Sequence, residues 1–180
     1  TEKFGPFMAC AYILGALGVF IVNIGTIGEV VGAIFSFAFG FRAVGGAAAG
    51  LAVKSAVTWG FKRGVFSNEA GLGSSVMVHS ASNVVEPVRQ GMWGIFEVFA
   101  DTIVVCTLTA FSILSTGLID LQTGAILSAN EQTALVSEAF GTVFNFGGVN
   151  VGGAFIAIAI LLFAFSTVLG WSYYGTKAWE

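Results

Sequence analysis

The chain has 180 residues, of which 56% are hydrophobic and 9% are charged, and its formal net charge is −3. Soluble domains carry about 25% charged residues, so this composition indicates an integral membrane protein. The chain has no excess of basic residues, which argues against a nucleic-acid partner.

The first apolar segment, residues 7–23, is uncharged and long enough to cross a hydrocarbon core of about 30 Å. Residues 24–43 differ, because Glu29 and Arg42 bracket an apolar stretch of only about a dozen residues. That length favours an interfacial or re-entrant helix over a complete span.

A second crossing is predicted over residues 44–82, and we expect it to be broken at residues 64–74. Glycine, hydroxyl, amide and carboxylate groups interrupt the apolar pattern there. Non-helical backbone is tolerated at membrane depth only where it is buried in protein or lines a water-filled cavity. A glycine-interrupted segment of this kind points to the binding site of a secondary transporter.

Two further crossings are predicted over residues 92–118 and 151–174, which gives about four crossings in total. The last one ends in aromatic side chains typical of the membrane interface. Residues 120–145 are polar enough to form a loop with a short interfacial helix, expected over residues 131–140. Because the pattern begins abruptly at Thr1, we expect the chain to be a fragment of a longer membrane protein.

The broken segment could bind a zwitterion. Its freed carbonyl groups near Phe66 and Ser67 suit an ammonium group or a cation, and Asn68 can donate or accept hydrogen bonds. The N–H groups from Gly71 onward would face a carboxylate, since helix N-termini are electropositive. At Gly71 and Gly73 we expect that a Cβ atom would intrude on the ligand. The alternative is a glycine hinge or a surface loop without a ligand.

Ser166 and Thr167 lie past the middle of the last uncharged helix and offer two hard oxygen ligands for Na⁺. In the alternative interpretation, these hydroxyl groups donate to carbonyl groups four residues earlier on the same helix.

Glu97 and Asp101 are four residues apart and share one helix face. If the span begins near Met92, Asp101 lies about 14 Å along it. An ionisable residue at that depth is a candidate coupling or proton site. If the helix begins later, both carboxylates lie at the interface. His79, the single histidine, is expected to be a polar group on the second half-helix.

Three stretches resemble the sodium:alanine (alanine or glycine:cation) symporter family. They are KRGVFSNEAGLGS at 62–74, PVRQGMWGIFEVFADTIVVCTLTA at 87–110 and FSTVLGWSYYG at 165–175. The resemblance covers most of the chain, and the first two motifs are long and specific.

The resemblance implies a leucine-transporter-like fold with two inverted five-helix repeats, of which the chain is about helices 5–8. It places residues 64–74 in the unwound part of the sixth helix and makes Ser166 and Thr167 ligands of the coupling sodium ion. The first, third and tenth helices would come from missing parts of the same protein.

These observations predict an all-α, multi-pass protein of the plasma (inner) membrane. The expected function is Na⁺-coupled symport of small neutral amino acids, alanine or glycine, by alternating access. No nucleophile, base or metal cluster suggests an enzyme, and no cofactor is expected besides Na⁺ as coupling ion. The alternative is a channel or a non-transporting membrane scaffold.

Overall fold

The computed structural model describes residues 4–39, 46–69, 72–130 and 132–179. These residues are mainly helical. The helices are α1 (Phe4–Val22), α2 (Ile27–Phe39), α3 (Gly46–Ser67), α4 (Ser74–Ser80), α5 (Pro87–Val98), α6 (Thr107–Leu114), α7 (Thr133–Val143) and α8 (Val151–Trp179). A 3₁₀ turn (Ile24–Thr26) precedes α2, and a π-helical segment (Phe99–Cys106) joins α5 to α6.

Three helical stretches among the described residues are long and apolar enough to cross a membrane. They are Phe4–Val22, the continuous stretch Pro87–Leu114 and Val151–Trp179. α2 is apolar but shorter. The region predicted to form the broken crossing, residues 44–82, holds α3 and α4.

By internal contacts, the chain divides into two compact units. Unit 1 contains Thr1–Ser36 and Val105–Trp171, and its centre is the fully buried cluster of Ala16, Val19, Phe140 and Ile156. Aromatic rings and a hydroxyl pair surround this cluster. The ring of Tyr12 stacks on Phe140 with 5.9 Å between centroids, and its hydroxyl group lies 2.7 Å from Thr109 Oγ1.

Glycines allow the helices of unit 1 to approach closely. A Cβ atom added at Gly18 would lie 2.7 Å from the Phe144 ring, and one added at Gly152 would lie 2.3 Å from the Phe140 carbonyl oxygen. Both distances are shorter than ordinary Cβ contacts, and at Gly152 the neighbouring atom belongs to the backbone, which cannot move aside as a side chain can. Small residues at these positions therefore let the helices of unit 1 pack closely.

The connection between α6 and α7 is held by hydrogen bonds to two carboxylates. Asp120 accepts a hydrogen bond from the Thr123 hydroxyl group at 2.6 Å and one from the Gln122 backbone at 2.8 Å, and these lower its pKa. Hydrogen bonds from Ser128 and Asn130 likewise lower the pKa of Glu138. Both carboxylates therefore stay charged at pH values at which an ordinary carboxyl group would already be protonated. The stability that they give this connection is lost as the pH falls through the lowered pKa values.

A short antiparallel hairpin, β1 (Asn145–Phe146) and β2 (Val149–Asn150), connects α7 to α8. Its turn consists of two glycines with positive φ, at 147 and 148. The Asn150 side chain then accepts a hydrogen bond from the Gly153 backbone at 2.7 Å and so caps the start of α8. The sequence analysis expected no strand, and the described residues depart from an all-α architecture at this hairpin and at an isolated antiparallel bridge between Ile119 and Ile126.

Unit 2 contains Phe37–Val104 and Ser172–Glu180. α3 ends at Ser67 and α4 begins at Ser74, so residues 64–67 of the predicted break, including Phe66 and Ser67, are helical. Glu69 and Gly73 both have positive φ, +50° and +76°. A Cβ atom at Gly73 would meet nothing within 4 Å, so the backbone conformation, rather than crowding, requires glycine there. Gly71 lies outside the described residues.

Candidate functional site

The interruption between α3 and α4 opens onto a cavity of about 750 Å³, lined entirely by residues of unit 2. α5 and the π-helical segment contribute one face to it, because Gln90, Gly94, Glu97 and Asp101 recur every three or four residues along this continuous stretch. α4 contributes Ser75 and His79, among other side chains. Glycine on the α5 face leaves the space between these helices open.

Two hydrogen bonds join the end of α3 to the π-helical segment. The Ser67 hydroxyl group donates to Asp101, and the Thr102 hydroxyl group donates to Asn68 Oδ1 at 3.0 Å. Asn68 also donates from Nδ2 to the Gly64 carbonyl oxygen at 3.1 Å. An asparagine amide has two donor hydrogens and two acceptor lone pairs. One donor hydrogen and one acceptor lone pair of the Asn68 amide therefore remain for a ligand.

Asp101 and Thr102 lie in the π-helical segment, next to Ser67 and Asn68. π turns inside α-helices are rare and occur frequently at functional sites. The sequence analysis anticipated that Asp101 lies on a helix with Glu97, but it did not anticipate the π turn. Hydropathy does not distinguish a π turn from an α turn, so the composition of this stretch carried no signal for it.

Glu69 also lines the cavity, although it was not among the predicted site residues. Its half-buried carboxylate accepts a hydrogen bond from the Ser74 hydroxyl group at 2.5 Å and faces the Tyr174 hydroxyl group at 3.4 Å. A carboxylate of the chain itself therefore stands at the start of α4, where we expected the carboxylate of a ligand. A second negative group there would be repelled.

His79 lies between two side chains of α5. Its Nδ1 atom is 2.7 Å from the Gln90 amide nitrogen, and its Nε2 atom is 3.4 Å from Glu97 Oε2. The side chain of His79 is 23% exposed and that of Glu97 is 58% exposed. A polar role for His79 was expected, but these two partners lie 11 and 18 residues away and no local pattern connects them.

The charge of the cavity favours a cationic group. Three carboxylates line it, those of Glu69, Glu97 and Asp101, and no lysine or arginine is among its described lining residues. Lys62 and Arg63 instead stack on the ring of Trp59, at 5.4 and 5.5 Å from its centroid. A positively charged ligand group would therefore meet net negative charge in this cavity.

The predicted substrate residues do not all face the cavity. Ser67 and Asn68 line it, whereas Phe66 is 71% exposed and is not among the lining residues. Gly73 shapes the turn before α4 without lining the cavity. Nothing is described for Gly71.

Ser166 and Thr167 belong to unit 1 and are described with it. The Thr167 hydroxyl group donates to the Phe163 carbonyl oxygen at 2.8 Å, which is the bond to the fourth preceding residue that the alternative interpretation named. Donation of its hydrogen leaves the lone pairs of Thr167 Oγ1 available to accept or to coordinate. Ser166 is half-buried beside it.

Comparison with known proteins relates the whole chain to one family. The model of the sodium:alanine symporter family matches residues 1–180. The chain is 44% identical to the sodium/alanine symporter AgcS of Methanococcus maripaludis, with 97% of the chain aligned. It is 36% identical to a sodium/proton-dependent alanine carrier protein of Bacillus sp. strain PS3 and 39% identical to the amino-acid carrier protein AlsT of Bacillus subtilis, with 93% and 94% of the chain aligned.

The alignments extend over only part of each relative. The chain spans 36% of the length of the Methanococcus protein, 38% of the strain PS3 protein and 33% of AlsT. The transport activities in the names of these relatives therefore belong to proteins about three times as long as this chain.

Proposed function

We propose, since this chain belongs to the sodium:alanine symporter family, that it forms part of a Na⁺-coupled symporter for small neutral amino acids. The transported substrate is alanine or glycine, and the protein carries it across the plasma (inner) membrane by alternating access. The chain supplies about helices 5–8 of a leucine-transporter-like fold. Other helices of the same protein complete the binding site.

The observation that best supports this proposal is the interrupted helix between Ser67 and Ser74. Interrupted helices near a membrane midplane are the usual binding elements of secondary transporters. Here the interruption is joined to α5 and its π-helical segment by side-chain hydrogen bonds, and it faces a polar cavity. A simple hinge would need neither the cavity nor these bonds.

The carboxylates and acceptor oxygen atoms of unit 2 would bind the ammonium group of the substrate. Asp101 and Glu69 provide negative charge, and Asn68 Oδ1 and Ser67 Oγ provide further acceptors beside them. Because Glu69 already occupies the start of α4, the substrate carboxylate would be bound by helices outside this chain. Asp101 would thereby respond to the arrival of substrate, in keeping with a role in coupling.

Sodium would bind at Ser166 and Thr167 together with oxygen atoms from outside the chain. Na⁺ is a hard cation and prefers oxygen ligands, and the two adjacent hydroxyl groups offer them in the uncharged part of α8, before Lys177. The bond from Thr167 to Phe163 uses the hydroxyl hydrogen, so that the lone pairs of Oγ1 can still coordinate a cation.

The decisive experiment is uptake of radiolabelled alanine into proteoliposomes that contain the full-length protein. We expect saturable uptake that requires an inward Na⁺ gradient and is abolished when K⁺ replaces Na⁺. Uptake that rises linearly with alanine concentration would indicate a channel. No alanine or glycine uptake by inserted protein would contradict the proposal and favour a scaffold.

A further inference from the structure

Two short hydrogen bonds connect the Tyr12 hydroxyl group to the π-helical segment. Thr109 Oγ1 lies 2.7 Å from the Val105 carbonyl oxygen, which can only accept, so the single hydroxyl hydrogen of Thr109 is used there. The Tyr12 hydroxyl group lies 2.7 Å from the same Thr109 oxygen and is therefore the donor of the second bond. The bonds thus run in one direction, from Tyr12 through Thr109 to Val105.

The Val105 carbonyl group lies where the helix changes its geometry. Val105 is the last residue but one of the π-helical segment, and α6 begins at Thr107. A carbonyl group in a π turn accepts from the N–H group five residues later, and one in an α turn from the N–H group four residues later. Where the first pattern changes to the second, two successive carbonyl groups compete for one N–H group. The Thr109 hydroxyl group supplies an additional donor at this point.

The position of the Tyr12 hydroxyl group is determined by the packing of its ring. The ring stacks on the fully buried ring of Phe140. It also meets the Phe163 ring edge-on, with 6.2 Å between centroids. A tyrosine hydroxyl group in such surroundings needs a hydrogen-bond partner, and Thr109 is that partner. Tyr12 therefore holds Thr109 from a fixed position on α1.

The geometry of the π-helical segment determines where Asp101 and Thr102 point. These residues precede Val105 by four and three positions in the same segment. If the wide turn closed to an α turn, they would rotate about the helix axis by roughly 100° relative to α6, which is the share of one residue in an α turn. Both side chains would then lose the bonds to Ser67 and Asn68 that join them to the end of α3.

We propose that Tyr12 is a positioning residue of the substrate site. It is not among the residues that line the cavity. It acts through the Thr109 hydroxyl group, which keeps the π turn wide and thereby keeps Asp101 and Thr102 directed at the interruption between α3 and α4. The inference rests on the proposed function, because it requires that the substrate binds at this interruption.

The test removes one hydroxyl group from the full-length protein. Tyr12→Phe keeps the ring and its stacking on Phe140. We expect the affinity for alanine, measured by calorimetry at saturating Na⁺, to fall about 2- to 10-fold. We also expect the backbone amides of residues 99–106 to exchange hydrogen faster than in the wild type. Wild-type affinity, or a loss of affinity without faster exchange in this segment, would overturn the proposal.

Variants of Thr109 test the same pair of bonds and carry the test if Tyr12→Phe does not insert. Thr109→Val deletes the hydroxyl group between Tyr12 and Val105 and should lower the affinity for alanine by about the same factor. Thr109→Ser keeps that hydroxyl group and should bind alanine as the wild type does. Tyr12→Phe combined with Thr109→Val should bind little more weakly than either single variant, because both changes break the same connection. Full multiplication of the two effects would contradict the proposal.

Ser112→Ala is the matched control. Ser112 is fully buried on α6 and donates to the Leu108 carbonyl oxygen at 2.8 Å, as Thr109 donates to Val105. Its bond lies within α6 and does not reach the π-helical segment. Ser112→Ala should therefore leave the affinity for alanine and the exchange of residues 99–106 unchanged. A loss of affinity equal to that in Tyr12→Phe would show that any hydroxyl group lost from this region has the same effect, and would refute the positioning role.

Alanine uptake by the wild type distinguishes this inference from the proposed function. Na⁺-dependent uptake by the wild type, with wild-type affinity in Tyr12→Phe, would refute the role of Tyr12 and leave the symporter proposal intact. If the wild type neither takes up nor binds alanine, the symporter proposal is refuted. The exchange of residues 99–106 in Tyr12→Phe then decides by itself whether Tyr12 holds the π turn.

Discussion

Thr102 donates its hydroxyl hydrogen to the amide oxygen of Asn68 over 3.0 Å, and this bond joins the π-helical segment to the residue that directly follows α3. The two residues are 34 positions apart in the chain. Asn68 is thereby oriented before any ligand arrives, since its amide group is also bound to Gly64 on its own helix.

Removal of this bond should weaken alanine binding. Thr102→Val keeps the shape of the side chain but leaves the Asn68 oxygen without its donor, which we expect to cost about 0.5–1.5 kcal/mol in binding. Asn68→Ala should cost about 1–3 kcal/mol, because it also removes contacts to the ligand. Calorimetry on the purified full-length protein measures both. If the effects of the two single changes add fully in the double variant, the residues act independently and the bond has no role in binding.

Ser166→Ala combined with Thr167→Val should weaken sodium binding more than substrate recognition. Two oxygen ligands disappear while the helix shape is nearly kept, so the apparent Na⁺ affinity should fall at least about tenfold, or about 1.4 kcal/mol. High Na⁺ should partly restore uptake. Thr176→Val is the matched control, because Thr176 makes the same kind of bond to the carbonyl group of Ser172 on this helix. An unchanged Na⁺ dependence in the double variant would exclude the pair from the ion site.

Asp101→Asn should impair transport without preventing insertion. An amide oxygen can still accept the hydrogen bond from Ser67, but the negative charge that faces the substrate ammonium group is lost. Interactions with a charged group contribute about 1.5–3 kcal/mol, so uptake at low alanine should fall roughly 10- to 100-fold. Asp120→Asn applies the same change in the connection between α6 and α7 and should transport normally. Wild-type uptake by Asp101→Asn across pH and Na⁺ would place this carboxylate outside the coupling mechanism.

Gly73→Ala should destabilise the interruption, because a residue with a Cβ atom in the left-handed region costs about 1–2 kcal/mol. Gly64→Ala is the control three residues before the end of α3, where the backbone is helical and a Cβ atom meets open space. That change should be neutral or stabilising by about 0.5–1 kcal/mol. Melting temperature and alanine binding distinguish the two. Equal stability of both variants would show that the turn at Gly73 adapts without strain.

Gly152→Ala should destabilise unit 1, because the new methyl group would lie 2.3 Å from the carbonyl oxygen of Phe140. Overpacking of this kind costs about 1–3 kcal/mol. Gly170→Ala is made in the same helix, at a position where a Cβ atom meets nothing within 4 Å, and should be tolerated. The yield of folded protein after extraction and its melting temperature report the difference. Similar values for both variants would mean that α7 and α8 separate easily.

Features that depend on local composition could be predicted from the sequence. The apolar helices follow from uninterrupted hydropathy, and the interruption after Ser67 follows from glycine and polar residues in an apolar context. The Asn150 cap and the glycines before it are likewise local features, and they lie directly before the start of α8.

Features that depend on distant residues could not be predicted in this way. Tyr174 was assigned to the membrane interface, yet its hydroxyl group faces Glu69, which precedes it by 105 positions. The partners of His79 and the contact of Gly152 with Phe140 likewise arise only when helices pack together. Side chains that pair across helices do not recur at a regular spacing in the sequence. Composition and local spacing therefore cannot predict which of them meet.

The division of unit 1 into two stretches of chain has a consequence for biogenesis. α1 leaves the ribosome well before Phe140, the residue at the centre of its packing cluster. At synthesis rates of about 5–20 residues per second, the delay is on the order of ten seconds. A helix satisfies its own backbone hydrogen bonds in lipid, so α1 can wait in the bilayer as an isolated span, with Gly15 and Gly18 facing acyl chains until the aromatic rings of α7 and its flanking residues replace them.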